Sequence, residues 1–362
     1  MNNRDFLNTI VLHFSGSVEE QNKKINAYFG VNSTESIFIE VDGNAYEIST
    51  DNCEFAFINS IWENLNLEQR LRILKWQQES NLVEQGYVGK IPPFEYLSDV
   101  SEHDNDNFLA TAKRRGGLII NLDAIRKRKG LEALILITHE NIHYVDFERF
   151  NKVCNLCSEY FTINARTLSV NVDSIMSLPV EGKVKNYRTG NYDIVDEKMR
   201  NNFLFMKNYI MGIYETRKGV IKKQEITDKE KYETYLSYLF YYTSPLEKKA
   251  YDTSIRYVSN YVDSIRNNYP VSSIDDKTIE RYQKMQKRIM GTVRQIQKYY
   301  NMSHYNAMNL ELIARYNKAI YGNDKNKYIC KDLMQKREKI IRGLWERKFA
   351  YYGKYEPWEK EK

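Results

Sequence analysis

A chain of 362 residues with 42% hydrophobic and 28% charged residues has the balance of a water-soluble globular protein, long enough for a main domain with one or two appended. Its four cysteines form no disulfide framework, which fits a reducing compartment, and no apolar run reaches the roughly 18 residues of a membrane span. The net charge of +6 is uneven, because the basic excess falls in residues 271–362 while residues 1–270 are slightly acidic.

Residues 1–50 read as a small mixed α/β region. The opening MNNRDFLNTIVLHFSG has an apolar stretch broken by Asn8, Thr9 and His13, with no small-residue cleavage site after it. No secretory signal is expected, so the expected location is the cytosol or a particle assembled there. A short strand is expected near Thr9–Phe14 and a helix from Val18 to Phe29. The alternating runs Ser36–Val41 and Asn44–Ile48 flank Asp42-Gly43, the signature of a tight hairpin.

From Glu54 to Gln85, apolar residues including Phe57, Ile61, Trp62, Leu65, Leu71, Leu74 and Trp76 recur at helical spacing. This predicts one long supporting helix, or two with a break. Pro92-Pro93 ends the pattern. Phe108–Ala112 and Leu118–Leu122 then read as two strands around Gly116-Gly117, leading straight into the next helix. An unpaired edge of such a pair can offer its backbone to an extended peptide.

That next helix follows Gly130 and covers LEALILITHENIHYVDFERF, Leu131–Phe150, with His139-Glu140-Asn141-Ile142-His143 inside it. At about 100° per residue, histidines four apart share a face, so both imidazoles can bind one ion with Glu140 beside them. Zinc takes neutral imidazole nitrogens at about 2.0–2.1 Å in a tetrahedral set and, at a catalytic site, keeps one position for water. A carboxylate next to that water can take its proton once the metal has lowered its pKa toward about 7. This is the chemistry of a zinc-dependent hydrolase. Asp146, three residues past His143, falls on the ligand face, where a carboxylate can orient a ligand histidine; otherwise it pairs with Arg149.

Cys154-Asn-Leu-Cys157 has no second cysteine or histidine pair at zinc-ribbon spacing, so two buried small side chains on one helix face are expected. Residues 161–198 read as irregular, with a hairpin about Tyr187–Tyr192. Helices are expected over Asp196–Arg217 and Asp228–Tyr242. Ser244 as N-cap, Pro245 in the first turn and Glu247 three residues after the cap then open a helix running past Tyr261.

Two histidines and a water leave zinc one protein ligand short. The position six past His143 is Arg149, which excludes a third histidine there. Glu159, Glu181, Glu197, Glu215 and Glu247 are the candidates. Glu247 is preferred because it opens a well-signalled helix and Ala250 lets that helix approach closely, although a capping box would use Glu247 equally well. With H-E-x-x-H-x-x-D at His139–Asp146 and P-x-E-x-x-A at Pro245–Ala250, the chain resembles the gluzincin zinc metallopeptidases, including metallopeptidase-like proteins of bacteria and their phages. The resemblance covers about Phe108–Tyr261. It implies one Zn2+ held by His139, His143 and Glu247, with Glu140 as general base. Glu159 and Glu215 stay as rivals for the third ligand. Tyr242 and Tyr251 flank Glu247 and can steady an oxyanion.

The tail reads as helices over Asp275–Tyr300, Tyr305–Tyr321 and Asn326–Tyr351. Its basic face is either a solvated surface or a binding site for nucleic acid or an acidic partner. The expected fold is α+β, mostly α: a small mixed region (1–50), a zincin-like domain with a small antiparallel sheet (51–270) and a basic helical region (271–362). The expected function is cleavage of a protein or peptide substrate by a zinc endopeptidase. The alternative is a structural or particle-associated protein, of a phage for example, that keeps the zinc site and docks through its tail.

Overall fold

The computed structural model describes residues 18–96, 110–112, 118–164, 169–215, 240–268 and 276–352, and within them helices predominate over short strands. None of these helices is long and apolar enough to cross a membrane. The strand expected at Thr9–Phe14, the Gly116-Gly117 turn and most of the helix expected at Asp228–Tyr242 lie outside the described residues.

After helix α1 (Val18–Tyr28), strands β1 (Ile37–Val41) and β2 (Asn44–Ile48) pair antiparallel, Val41 opposite Asn44. Asp42 (φ 52°) and Gly43 (φ 77°) both take left-handed backbone, as the two-residue turn matching strand twist requires. Of the two expected arrangements, one long helix or two with a break, the second is found. A 3-10 turn (Cys53–Phe57) and short helix α2 (Asn59–Trp62) precede α3 (Leu67–Glu84). The break is made by Asn66, whose side chain accepts from Gln69 N at 2.9 Å while Gln69 Oε1 accepts from Asn66 N at 2.9 Å. Such a reciprocal cap satisfies two amides that the first turn would otherwise leave unbonded.

The small sheet has the order β3 (Phe94–Tyr96), β5 (Leu118–Ile120), β4 (Ala110–Ala112). β5 runs antiparallel to β4 and parallel to β3. The β4–β5 pair is the expected one, whereas β3 is an addition, too short to show alternation. Nor does β5 lead straight into the motif helix. Asn121 accepts from Ala124 N at 3.1 Å and starts the short helix α4 (Leu122–Lys127) between them.

The motif helix, α5, spans Gly130–Leu156. A Cβ on Gly130 would lie 2.1 Å from the Phe57 carbonyl oxygen, so only glycine admits this close approach. Strands β6 (Ile163–Asn164) and β7 (Ser169–Val170), helix α6 (Val172–Met176) and the hairpin β8 (Lys183–Lys185) with β9 (Tyr192–Ile194) follow. Then come α7 (Glu197–Glu215), α8 (Pro245–Asn268), α9 (Asp276–Tyr300), α10 (His304–Tyr321) and α11 (Lys331–Tyr352).

Contacts divide the chain into two units, residues 1–148 with 250–284, and residues 149–249 with 285–362. In the first, Tyr257 and Tyr261 of α8 donate to the Glu54 carboxylate and carbonyl, and Gln77 Nε2 donates to the Tyr257 hydroxyl at 3.0 Å. Burial, then the Glu54 carboxylate, hold the Tyr257 phenol well above its usual range, so it stays a donor. Arg281 of α9 pairs with Glu132, which also meets Arg128 at 3.4 Å. In the second unit, α7 packs on α10, and α10 on α11. Val153, Phe203, Met206, Ile210, Leu312 and Ile341 belong to its core.

Candidate metal centre

α5 is apolar on most of its surface, with Leu131, Ala133, Leu134, Ile135, Ile137 and Ile142 all buried. Apolar packing alone would hold its rotation loosely. A buried polar seam with α3 fixes it. Thr138 Oγ1 donates to Asn81 Oδ1 at 3.0 Å, and Asn141 Nδ2 reaches Gln78 O and Asn81 Oδ1, each at 3.5 Å. Lys75 Nζ, buried beside them, donates to Gln78 Oε1 at 2.8 Å and Pro92 O at 3.2 Å. Arg70 sets the entry to the helix. Its guanidinium donates to Trp62 O (3.1 Å), Ile125 O (3.1 Å) and Arg126 O (2.9 Å), while Trp62 Nε1 donates to Arg128 O at 2.9 Å.

With that rotation fixed, His139, His143 and Asp146 line another stripe of the helix. His139, Glu140 and Asp146 are buried and His143 is half-buried. The Nε2 atoms of His139 and His143 are 3.3 Å apart, their rings nearly perpendicular at 83°. One ligand atom from each of His139, Glu140 and His143 lies within 4.8 Å of the others, the one such His/Cys/Asp/Glu group among the described residues. Two nitrogens bound to one tetrahedral zinc at about 2.0–2.1 Å lie about 3.3–3.4 Å apart. The imidazole pair therefore has the span of one edge of a zinc tetrahedron, and this donor set can hold a metal ion.

The ring of Tyr251 covers His139, centroids 4.3 Å apart and tilted by 54°. Tyr251 rides on α8, which the Glu54 bonds of Tyr257 and Tyr261 fasten to the same unit. Tyr242 is half-buried with its ring edge-on to Tyr241 at 5.2 Å. Glu247 is buried in the first turn of α8, its amide donating to Ser244 Oγ at 3.4 Å. The expected cap is thus formed, and Glu247 stands one helical turn before Tyr251.

Among the other candidates, the Glu181 carboxylate accepts from Ser303 Oγ (2.6 Å) and Asn306 Nδ2 (2.5 Å), and Glu197 is exposed. Glu159 is half-buried and its carbonyl accepts from Tyr187 N at 2.7 Å. Glu215 closes α7, its side chain outside the described residues. Cys154 and Cys157 are both buried as expected, although Cys157 lies one residue beyond the end of α5. Burial, and then the neighbouring Cys157, push the Cys154 thiol up to about 12, and its Sγ rests 3.7 Å from Met206 Sδ. It behaves as a packing group.

Sequence reading missed Arg70, Gln78, Asn81, Thr138 and Asn141. Only Asn141 left a signal, as a polar residue inside the apolar run. No protein-family model matches the chain, and neither curated proteins nor solved structures contain a match. The centre rests on the geometry of this chain alone.

Proposed function

We propose that the protein is a zinc-dependent endopeptidase with a zincin-like catalytic region of the gluzincin kind. The observation that carries this is the convergence of His139 and His143, 3.3 Å apart, with Glu140 in one buried group. The two imidazoles would hold the ion, and Asp146, buried on the same stripe, would orient a ligand histidine. Glu247 is the third ligand. Its burial and its place one turn before Tyr251, whose ring lies on His139, support that role.

Bound zinc supplies Lewis-acid chemistry, easing the ionisation of water near neutral pH and polarising a carbonyl. Glu140 takes the proton of the attacking water and hands it to the departing amine nitrogen. Tyr251, and Tyr242 before it, donate hydrogen bonds to the carbonyl oxygen as it gains charge. The rim of the β3–β5–β4 sheet offers backbone groups to an extended peptide substrate.

The test combines metal analysis with a proteome-derived peptide library. About one zinc per chain is expected for the wild type, lost in His143→Ala and weakened in Glu247→Ala. Glu140→Gln should keep the metal and lose cleavage by about 10²–10⁴-fold. A chain that takes up no metal when dialysed against zinc sinks the proposal, since a 3.3 Å separation then reports only a hydrogen bond between two imidazoles. Zinc without Glu140-dependent cleavage replaces it with the non-catalytic reading, a particle-associated protein docking through its basic tail.

A further inference from the structure

The β8–β9 hairpin belongs to the second unit and plays no part in the metal centre. Its register pairs Lys183 with Ile194, Val184 with Asp193 and Lys185 with Tyr192. Because strand side chains alternate, the middle pair faces one way and the outer pairs the other. Val184 is buried, and Asp193 Oδ2 accepts from Tyr160 Oη at 3.1 Å and Asn186 Nδ2 at 3.0 Å. That face is fastened to the unit.

The opposite face lies in solvent. Tyr192 is 65% exposed and Ile194 74%, with Lys183 and Lys185 exposed across from them. The connecting loop adds Tyr187, 52% exposed under the Lys185 ammonium at 5.3 Å, and the exposed Arg188. The loop is braced. Asn186 Oδ1 accepts from Arg188 N (3.0 Å) and Thr189 N (3.2 Å), and Asn186 N donates to Asn191 O at 2.8 Å.

Two tyrosines and an isoleucine held outward on a braced ribbon form an apolar face that a protein ordinarily covers. The cations among them indicate what covers it. A second copy of the same face would bring lysine against lysine, whereas an anionic chain is attracted. Lys183 and Lys185 stand about 6.6–6.8 Å apart along one strand, with tyrosine rings beside them. Alternating cations and rings suit a ligand that alternates phosphates with planar bases. We infer that the β8–β9 ribbon is a binding face for single-stranded nucleic acid, with Lys183, Lys185 and Arg188 on phosphates and Tyr187 and Tyr192 stacked on bases.

The measurement is fluorescence anisotropy of the full chain with labelled oligothymidylate and oligouridylate of about 20 nucleotides, from about 50 to 200 mM salt. Wild type is expected to bind. Tyr187→Ala with Tyr192→Ala should weaken binding at least about fivefold per tyrosine while keeping the salt dependence. Lys183→Gln with Lys185→Gln should lower the salt slope by about 1.4. All four residues are in solvent, so the fold survives, and circular dichroism checks it. Three results overturn the inference: no wild-type binding at low salt; binding that both double variants retain unchanged, which would place it on the basic tail; or equal affinity for poly-glutamate, which would make the face a site for acidic peptides.

Discussion

Lys207 sits fully buried in the second unit, where its ammonium donates to the Leu178 carbonyl and to Asn309 Oδ1. Both partners are neutral, so desolvation dominates and pushes its pKa down to about 7 from 10.5. The unfolded chain therefore holds this proton more tightly than the folded one. Below about pH 7 both states carry it and the burial cost is fully felt; stability rises as pH climbs from about 7 to about 10.5. Lys207→Met should stabilise the protein by about 1 kcal/mol or more at pH 6. Its advantage should shrink by pH 9, as urea titrations at the two pH values would read. Equal effects at both would refute the neutral-lysine account. Nothing local in the sequence marks this residue, because the run Phe203–Ile210 fits an ordinary amphipathic helix; its acceptors lie 29 and 102 positions away. The candidate metal ligands are the opposite case. His139, Glu140 and His143 were legible because one helical turn is all that brings them together. The seam that orients them was not, since Asn81 and Thr138 lie 57 positions apart and meet only once two helices have packed.

Among elements, α9 carries a glycine at position 291 that sits in solvent with open space around an added Cβ. Gly291→Ala should raise stability by about 0.5–1 kcal/mol through lower chain entropy. A fall in melting temperature would show that the glycine serves something other than the helix. The start of α8 was readable from Ser244, Pro245 and Glu247 because capping is chemistry within four residues. The hairpin at Asp42-Gly43 was readable for the same reason, one dipeptide fixing both the turn and the register. The Asn66–Gln69 box is equally local, but the apolar positions on either side of it continue at helical spacing, so periodicity allowed a break without choosing between one helix and two. The parallel strand β3 could not be read, because three residues joined to a partner 24 positions on leave no pattern.

At the scale of the molecule, the boundary between the two units falls inside α5, α8 and α9 rather than in linkers. The His139–Glu140–His143 group lies in the first unit, and an ion that binds it only when the chain is folded favours the folded state. Free zinc at about 100 times its dissociation constant should add about 2.7 kcal/mol. In a scanning experiment this is a rise of several degrees, reversed by a chelator and absent in His143→Ala. An unchanged midpoint with zinc in excess would argue that the ion meets the folded and unfolded chains alike. Grouping of this kind is invisible in a linear reading, for which distance along the chain stands in for distance in space.

The bonds from Tyr257 and Tyr261 to Glu54 close loops of more than 200 residues, 203 and 207 positions. Closing so long a loop costs little more entropy than closing one half as long, but it imposes an order in time. A ribosome adding about 5–20 residues per second needs on the order of 10–40 s between exposing Glu54 and exposing its phenol partners. His139 and His143 leave the exit tunnel well before Tyr251, so on a growing chain the two imidazoles emerge before the ring that covers His139. On a growing chain the His139–His143 pair is therefore without its tyrosine cover until most of the polypeptide has been made.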